Sequence, residues 1–118
     1  MHEVGLCEAI LDAVERRAAG RPVRAVKVRV GALHRVVDSA MDSAFAMVAT
    51  GTVAEHARID LVVIPVRCRC PECGAQTEAE EMVAVCPRCG ATGMELLSGD
   101  ELLLESITLA PGRHEEGA

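Results

Sequence analysis

The pattern Cys-Pro-x-Cys-Gly occurs twice in this sequence, as Cys70-Pro71-Glu72-Cys73-Gly74 and as Cys86-Pro87-Arg88-Cys89-Gly90. A Cys-x-x-Cys turn sets two sulfurs on one side of a tight loop; the proline directs the backbone and the glycine permits a positive φ. Two such knuckles supply four thiolates in a tetrahedron, the donor set of a closed structural zinc site with Zn–S bonds of about 2.3 Å. Twelve residues separate Cys73 from Cys86, shorter than one common zinc-ribbon spacing but enough for a hairpin return. The same sulfurs could hold iron as in a rubredoxin, although the segment has few large side chains with which to build the dry shell that tunes a redox centre. Cys68 stands two residues before Cys70, too close to join the knuckle without displacing it. Cys7 falls on a helical apolar stripe and is expected in the core. Neither is read as a ligand.

The chain around these cysteines has 118 residues, half of them hydrophobic and a quarter charged, which is a globular composition. It suffices for one compact domain with a small insertion. Phe45 is the only aromatic residue, so stacking surfaces for single-stranded nucleic acid are almost excluded. The net charge of −6 disfavours phosphate backbones and anionic membranes. No apolar run approaches the roughly 18 residues of a membrane span. Glu3, Glu8, Asp12 and Glu15 interrupt the amino-terminal segment, which therefore does not read as a secretory signal. A cytoplasmic protein is expected, and in a reducing compartment clustered cysteines favour metal over disulfides.

The elements that must carry the cysteines follow from periodicity. Cys7, Ile10, Leu11, Val14 and Ala18 recur at helical spacing, ended by Gly20 and Pro22. Ala25–Val30 alternates apolar and basic residues like a strand with one buried face. Asp38 or Ser39 is expected to cap a second helix whose stripe is Met41, Ala44, Phe45 and Val48, running to Gly51. Ile59–Ile64 and Leu102–Leu109 read as further strands. From Arg67 the composition turns to cysteine, proline and glycine, too poor in branched apolar residues for an oily core of its own. The expected fold is α+β: two helices packed on a small mixed β-sheet, residues 1–66 plus 98–110, with a tetracysteine zinc-ribbon-like domain inserted at 67–97 and a flexible tail at 111–118.

Met1-His2-Glu3, followed by Gly31-Ala32-Leu33, Gly51-Thr52-Val53-Ala54-Glu55 and the paired knuckles in that order, resembles the HypA/HybF family of hydrogenase maturation nickel chaperones. The likeness runs from Met1 to about Leu109. It implies a nickel site at Met1, His2 and Glu3, and a zinc site at Cys70, Cys73, Cys86 and Cys89. Coordination chemistry agrees with the first. A terminal amine, the backbone nitrogens of His2 and Glu3 and the His2 imidazole can form fused chelate rings in one plane, which suits Ni²⁺ or Cu²⁺ better than tetrahedral Zn²⁺. Methionine excision generally requires a small second residue, so His2 is expected to leave Met1 in place. The Glu3 side chain would add an oxygen or orient the site. Spacing from Gly31 puts Val37 where members of the family often carry an acidic residue, with Asp38 one position later, so helix capping is the expected job of Asp38. His34, His56 and His114 read as surface histidines.

The resemblance further implies a metallochaperone rather than an enzyme, delivering Ni(II) as transient cargo during maturation of [NiFe] hydrogenase, or also of urease, with Zn(II) structural. The implied partners are a HypB-type GTPase and the hydrogenase large subunit precursor; a homodimer is left open, and neither nucleic acid nor membrane is expected. No paired nucleophile and base and no GxxxxGK[ST] loop is present, so nucleotide hydrolysis falls to the partner. The competing readings are a zinc-ribbon adaptor or regulatory protein and a rubredoxin-like electron carrier.

Overall fold

In the computed structural model, residues 2–111 are described. The elements in chain order are α1 (His2–Ala18), β1 (Val23–Gly31), a 3₁₀ turn (Ala32–His34), α2 (Asp38–Ala49), β2 (Arg58–Ile64), β3 (Val66–Arg69), β4 (Gln76–Ala79), β5 (Glu95–Ser98) and β6 (Leu102–Leu109). They form two three-stranded sheets, ordered β2-β1-β6 and β4-β3-β5. The α+β class with two helices and small mixed sheets is thus observed, the insertion carrying a sheet of its own. The proposed tail 111–118 lies outside the described residues apart from Pro111.

The chain divides into two compact units. One takes its described residues from Met1–Val28, Val36–Leu61 and Leu103–Ala118; the other is Arg29–Arg35 with Val62–Leu102. In the first, the buried stripe of α1 is Glu3, Cys7, Ile10, Leu11, Val14 and Ala18. The helix begins five residues before the first apolar position of the sequence pattern, because its outermost buried position is filled by a carboxylate that hydrophobic periodicity does not register. Ala19 and Gly20, at φ 51° and 85°, end it in the left-handed region. Facing it, α2 buries Met41, Ala44, Phe45 and Ala49; Ala49 takes the place expected for Val48, which is half-buried. The Cys7 Sγ lies 3.7 Å from the Met41 carbonyl and 3.9 Å from its Sδ, so Cys7 is the core residue its position suggested. Burial pushes its thiol up to about 11, with the Glu3 charge adding to the effect.

The expected cap of α2 is a correction. Val37 occupies the N-cap and makes no side-chain cap hydrogen bond, while Asp38 is the first helical residue, where its charge favours the helix dipole instead. The helix stops at Ala49, and Gly51 turns the chain at φ 79°.

In the second unit β3 is the central strand, antiparallel to both β4 and β5, with a register shift between Arg67 and Cys68 on the β5 side. Val66, Cys68, Cys70, Cys86 and Met94 form a buried cluster, and Ala32, Leu33 and Leu96 pack against it. A small core therefore exists where composition argued against one. It is built on the cysteines themselves and completed by residues that arrive from the end of β1. Gly31 makes this possible: a Cβ there would lie 2.0 Å from the Gly99 carbonyl oxygen.

Candidate metal centres

The two knuckles have matching backbones. Cys70 N–H donates to the Ala75 carbonyl and Gly74 N–H to the Cys70 carbonyl, each at 2.9 Å; Cys86 with Ala91 and Gly90 with Cys86 repeat the pair at the same distances. Gly74 and Gly90 both take positive φ, 75° and 79°, which is the conformational reason each motif ends in glycine. The amides of Glu72 and Cys73 point at Cys70 Sγ from 3.4 and 3.5 Å, and that of Arg88 at Cys86 Sγ from 3.4 Å. Such bonds favour thiolate over thiol.

All four sulfurs lie within 4.8 Å of one another, and they are the only group of three or more candidate ligands among the described residues. The shortest separations run between knuckles, Cys70 to Cys89 at 3.5 Å and Cys73 to Cys86 at 3.7 Å. Sulfurs at the corners of a tetrahedron with bonds of about 2.3 Å stand about 3.8 Å apart, close to these two separations, so the four sulfurs suit a tetrahedral thiophilic ion. Cys70 and Cys86 are buried, whereas Cys73 and Cys89 are exposed. Cys68, on the same strand face as Cys70, points instead into the cluster with its Sγ 3.8 Å from Met82 Sδ, outside the cage.

Crowding four sulfurs splits their proton affinities. Amide hydrogen bonds from Cys89 and Arg88 bring Cys86 down to about 6 against the opposing effect of burial. The Cys73 amide likewise holds Cys70 below the ordinary thiol range. Cys89 is pushed up to about 12: the Ala91 amide pulls it down but is outweighed by hydrogen bonding with Cys70, burial and the remaining sulfurs. Some sulfurs thus keep protons so that others can ionise, and a divalent cation relieves this conflict by replacing the protons.

At the other end of the sequence, α1 includes His2 and Glu3 in its first turn. The first four N–H groups of a helix have no intrahelical acceptor, so these amides are available to a ligand without loss of a helical bond. The His2 side chain is about half exposed, whereas that of Glu3 is 11% exposed; His2 Nδ1 stands 3.3 Å from Glu3 Oε1. The Glu3 carboxyl lies below its ordinary value, chiefly through its own backbone amide, with burial opposing and His2 assisting. Met1, the third residue expected here, lies outside the described residues, as does His114. Asp38 stays at its helix position with no cap contact, and His56 is exposed, as the sequence suggested. His34 is half-buried rather than simply superficial: its Nε2 lies 3.0 Å from the Asp100 carbonyl. No sequence signal announced that contact, because Asp100 offers only its backbone.

Among the described residues no helix is long and apolar enough to cross a membrane. Residues 1–109 match the family model described as "Hydrogenase/urease nickel incorporation, metallochaperone, hypA". Among curated proteins the chain is 34% identical over 110 residues to the hydrogenase maturation factor HypA of Desulfitobacterium hafniense (strain DSM 10664 / DCB-2), covering 91% of this chain and 96% of that one. It is 36% identical over 110 residues to HypA of Rhodopseudomonas palustris (strain BisB5), covering 91% and 97%. Among solved structures, that of the nickel metallochaperone HypA from Helicobacter pylori superposes with a TM-score of 0.66 at 21% identity, over 91% of this chain and 96% of the other, a likeness of fold.

Proposed function

The chain belongs to the HypA family, and from that membership we propose that it carries Ni(II) at its amino terminus and hands it on during maturation of [NiFe] hydrogenase, with Zn(II) held permanently by Cys70, Cys73, Cys86 and Cys89. The observation that carries the reading is the start of α1 at His2, which puts the amides of His2 and Glu3 in a first helical turn, where N–H groups have no acceptor within the helix. With the Met1 amine and the His2 imidazole they make four nitrogens suited to a planar d⁸ ion. A bare dication would be repelled by the positive end of the helix dipole. Two deprotonated amides, however, bring two negative charges that offset those of Ni²⁺, and the dipole favours their ionisation.

Exposure separates the two metals by role. A carrier must present its ion where an acceptor can compete for it, and the half-exposed His2 does so. The tetracysteine cage would spend all four donors on one ion and leave no open position, as a structural zinc site requires. Transfer follows as ligand exchange: an acceptor displaces the imidazole first, the amides regain protons, and the ion leaves. The acceptors on this reading are the hydrogenase large subunit precursor and a HypB-type GTPase, with urease maturation as a second destination. The protein works as a cytoplasmic carrier and not as a catalyst.

Titration of untagged protein with Ni²⁺, followed by calorimetry and by the d–d band of planar nickel, tests the site. His2→Ala should lose the band and most of the affinity, and a tag that acylates the Met1 amine should do the same. Unchanged nickel affinity in His2→Ala would overturn the assignment. Cys73→Ser should lose zinc but keep the nickel band.

A further inference from the structure

The sheet β2-β1-β6 ends in two edge strands, and their surroundings differ. On β6 the Arg17 guanidinium, from α1, donates to the Leu104 carbonyl at 3.3 Å and to that of Glu105 at 3.4 Å, so a side chain already occupies backbone acceptors there. On β2, no side chain of the described residues bonds to the backbone of residues 58–61. Beside this edge, Asp42, Phe45 and Ala46 of α2 and residues 57–60 enclose a cleft of about 400 Å³. Its floor is apolar, Phe45 and Ile59 being 1% and 8% exposed, and the exposed Ala46 is too small to fill it. Charge is uneven around the rim. Arg58 and Asp60 satisfy one another, with Arg58 Nε donating to the two carboxylate oxygens at 3.1 and 3.2 Å. The exposed Asp42 carboxylate has no hydrogen-bond or ion-pair partner among the described residues.

A strand edge running beside a helix is the geometry by which extended peptides are added to a sheet, backbone pairing giving affinity and pockets for alternate side chains giving specificity. We propose that this cleft receives an extended, basic segment of a partner protein. The segment pairs its backbone with residues 58–61 and lays one apolar side chain over Phe45 and Ile59. A lysine or arginine two residues away meets Asp42, because side chains on one face of a strand recur at that spacing. The net charge of −6 favours such a segment, whereas a second copy of this chain would bring another −6 and another Asp42 to the same seam. Neither His2, Glu3 nor any cysteine lines the cleft, so the proposal stands independently of the metal assignments.

The test is an NMR titration of ¹⁵N-labelled protein, to millimolar concentration, with the acetylated and amidated peptide Ser-Lys-Thr-Val-Thr-Lys-Ser, whose valine and two lysines share one face. Amide shifts should be confined to residues 57–61 and to residues 42–46, and amides of β2 should gain protection from hydrogen exchange. The same peptide with glutamate in place of lysine should bind more weakly. Asp42→Lys should weaken binding of the lysine peptide about fivefold and reverse the preference between the two peptides. Ala46→Gln, which fills the cleft, should abolish binding. Both sites are exposed on α2, and unchanged circular dichroism verifies the fold of each variant. Glu8→Lys, the same change of charge at an exposed position of α1, should bind as wild type does. No binding at millimolar concentration, shifts spread over the acidic surface, equal binding of the two peptides, or undiminished affinity in Asp42→Lys or Ala46→Gln would each overturn the proposal. Concentration-dependent shifts of the same amides without peptide would also overturn it, by giving the cleft to a second copy.

Discussion

Replacing Gly31 by alanine adds one methyl group at the end of β1, and the structure puts that carbon 2.0 Å from the Gly99 oxygen, 2.1 Å from its carbonyl carbon and 2.5 Å from the Asp100 nitrogen. All three are backbone atoms, so no side chain can rotate away. Ordinary contact requires about 3.4 Å, which means a displacement of about 1.4 Å between the two segments. That motion acts on the hydrogen bonds that hold them, Gly31 N–H to the Glu101 carbonyl at 2.8 Å and Leu33 N–H to the Gly99 carbonyl at 2.9 Å. Each contributes about 0.5–1.5 kcal/mol. Leu33 and Ala32 are also pulled from the cluster around Cys68 and Cys86, so the total loss is about 2–4 kcal/mol. Gly31 itself has φ −70°, so backbone conformation contributes nothing to this figure. With no Trp or Tyr in the chain, the assay is guanidinium unfolding followed by far-ultraviolet circular dichroism. Gly5 is the control: it lies within α1 with nothing inside 4 Å of its added Cβ, and Gly5→Ala should stabilise by about 0.5–1 kcal/mol. A Gly31→Ala protein within about 0.5 kcal/mol of wild type would refute the steric reasoning.

Phe45, 1% exposed, is the largest fully buried side chain, and Phe45→Ala should destabilise the protein by about 3–5 kcal/mol in the same unfolding assay. Cys7, with its folded value raised to about 11 from 9.0, contributes stability that is present below pH 9 and fades as pH rises from 9 through 11; Cys7→Ala should flatten that part of a thermal-stability profile. Native protein at pH 8 should resist alkylation at the buried Cys7 while metal-stripped protein reacts at the exposed Cys73, as peptide mass mapping would report. On the proposed zinc assignment, a chelator at neutral pH should cost the amides of Cys70, Gly74, Cys86 and Gly90 their protection from hydrogen exchange, while Val26 and Val28 in β1 keep theirs.

Much of the fold was legible because its signals are local. Leu102–Leu109 reads as a strand and is one over those residues, and the buried faces of both helices follow the 3.6-residue period except at Val48. The extension of α1 to His2 was not legible, because the stripe position at Glu3 is polar. Three strands of the second sheet were missed for a different reason: at four residues each they hold only two periods of alternation, and β4 and β5 half-bury rather than bury their inner faces. Val37 at the cap of α2 defeats a rule that depends on side-chain oxygens.

By itself the sequence determined the cage, since sulfur identity, proline direction and glycine permissiveness are all written within five-residue motifs that act locally. Only tertiary structure decided what closes around that cage. Ala32 and Leu33 come to it from the end of β1, through the bare backbone of Gly31, and Cys68, a non-ligand by its spacing, becomes core because the alternation of β3 points it into the cluster. It likewise decided that a carboxylate two positions from the start of the sequence lies buried against α2 with its neighbour's imidazole at 3.3 Å. Burial and such proximities depend on distant segments meeting in space, and residue type at one position does not encode them.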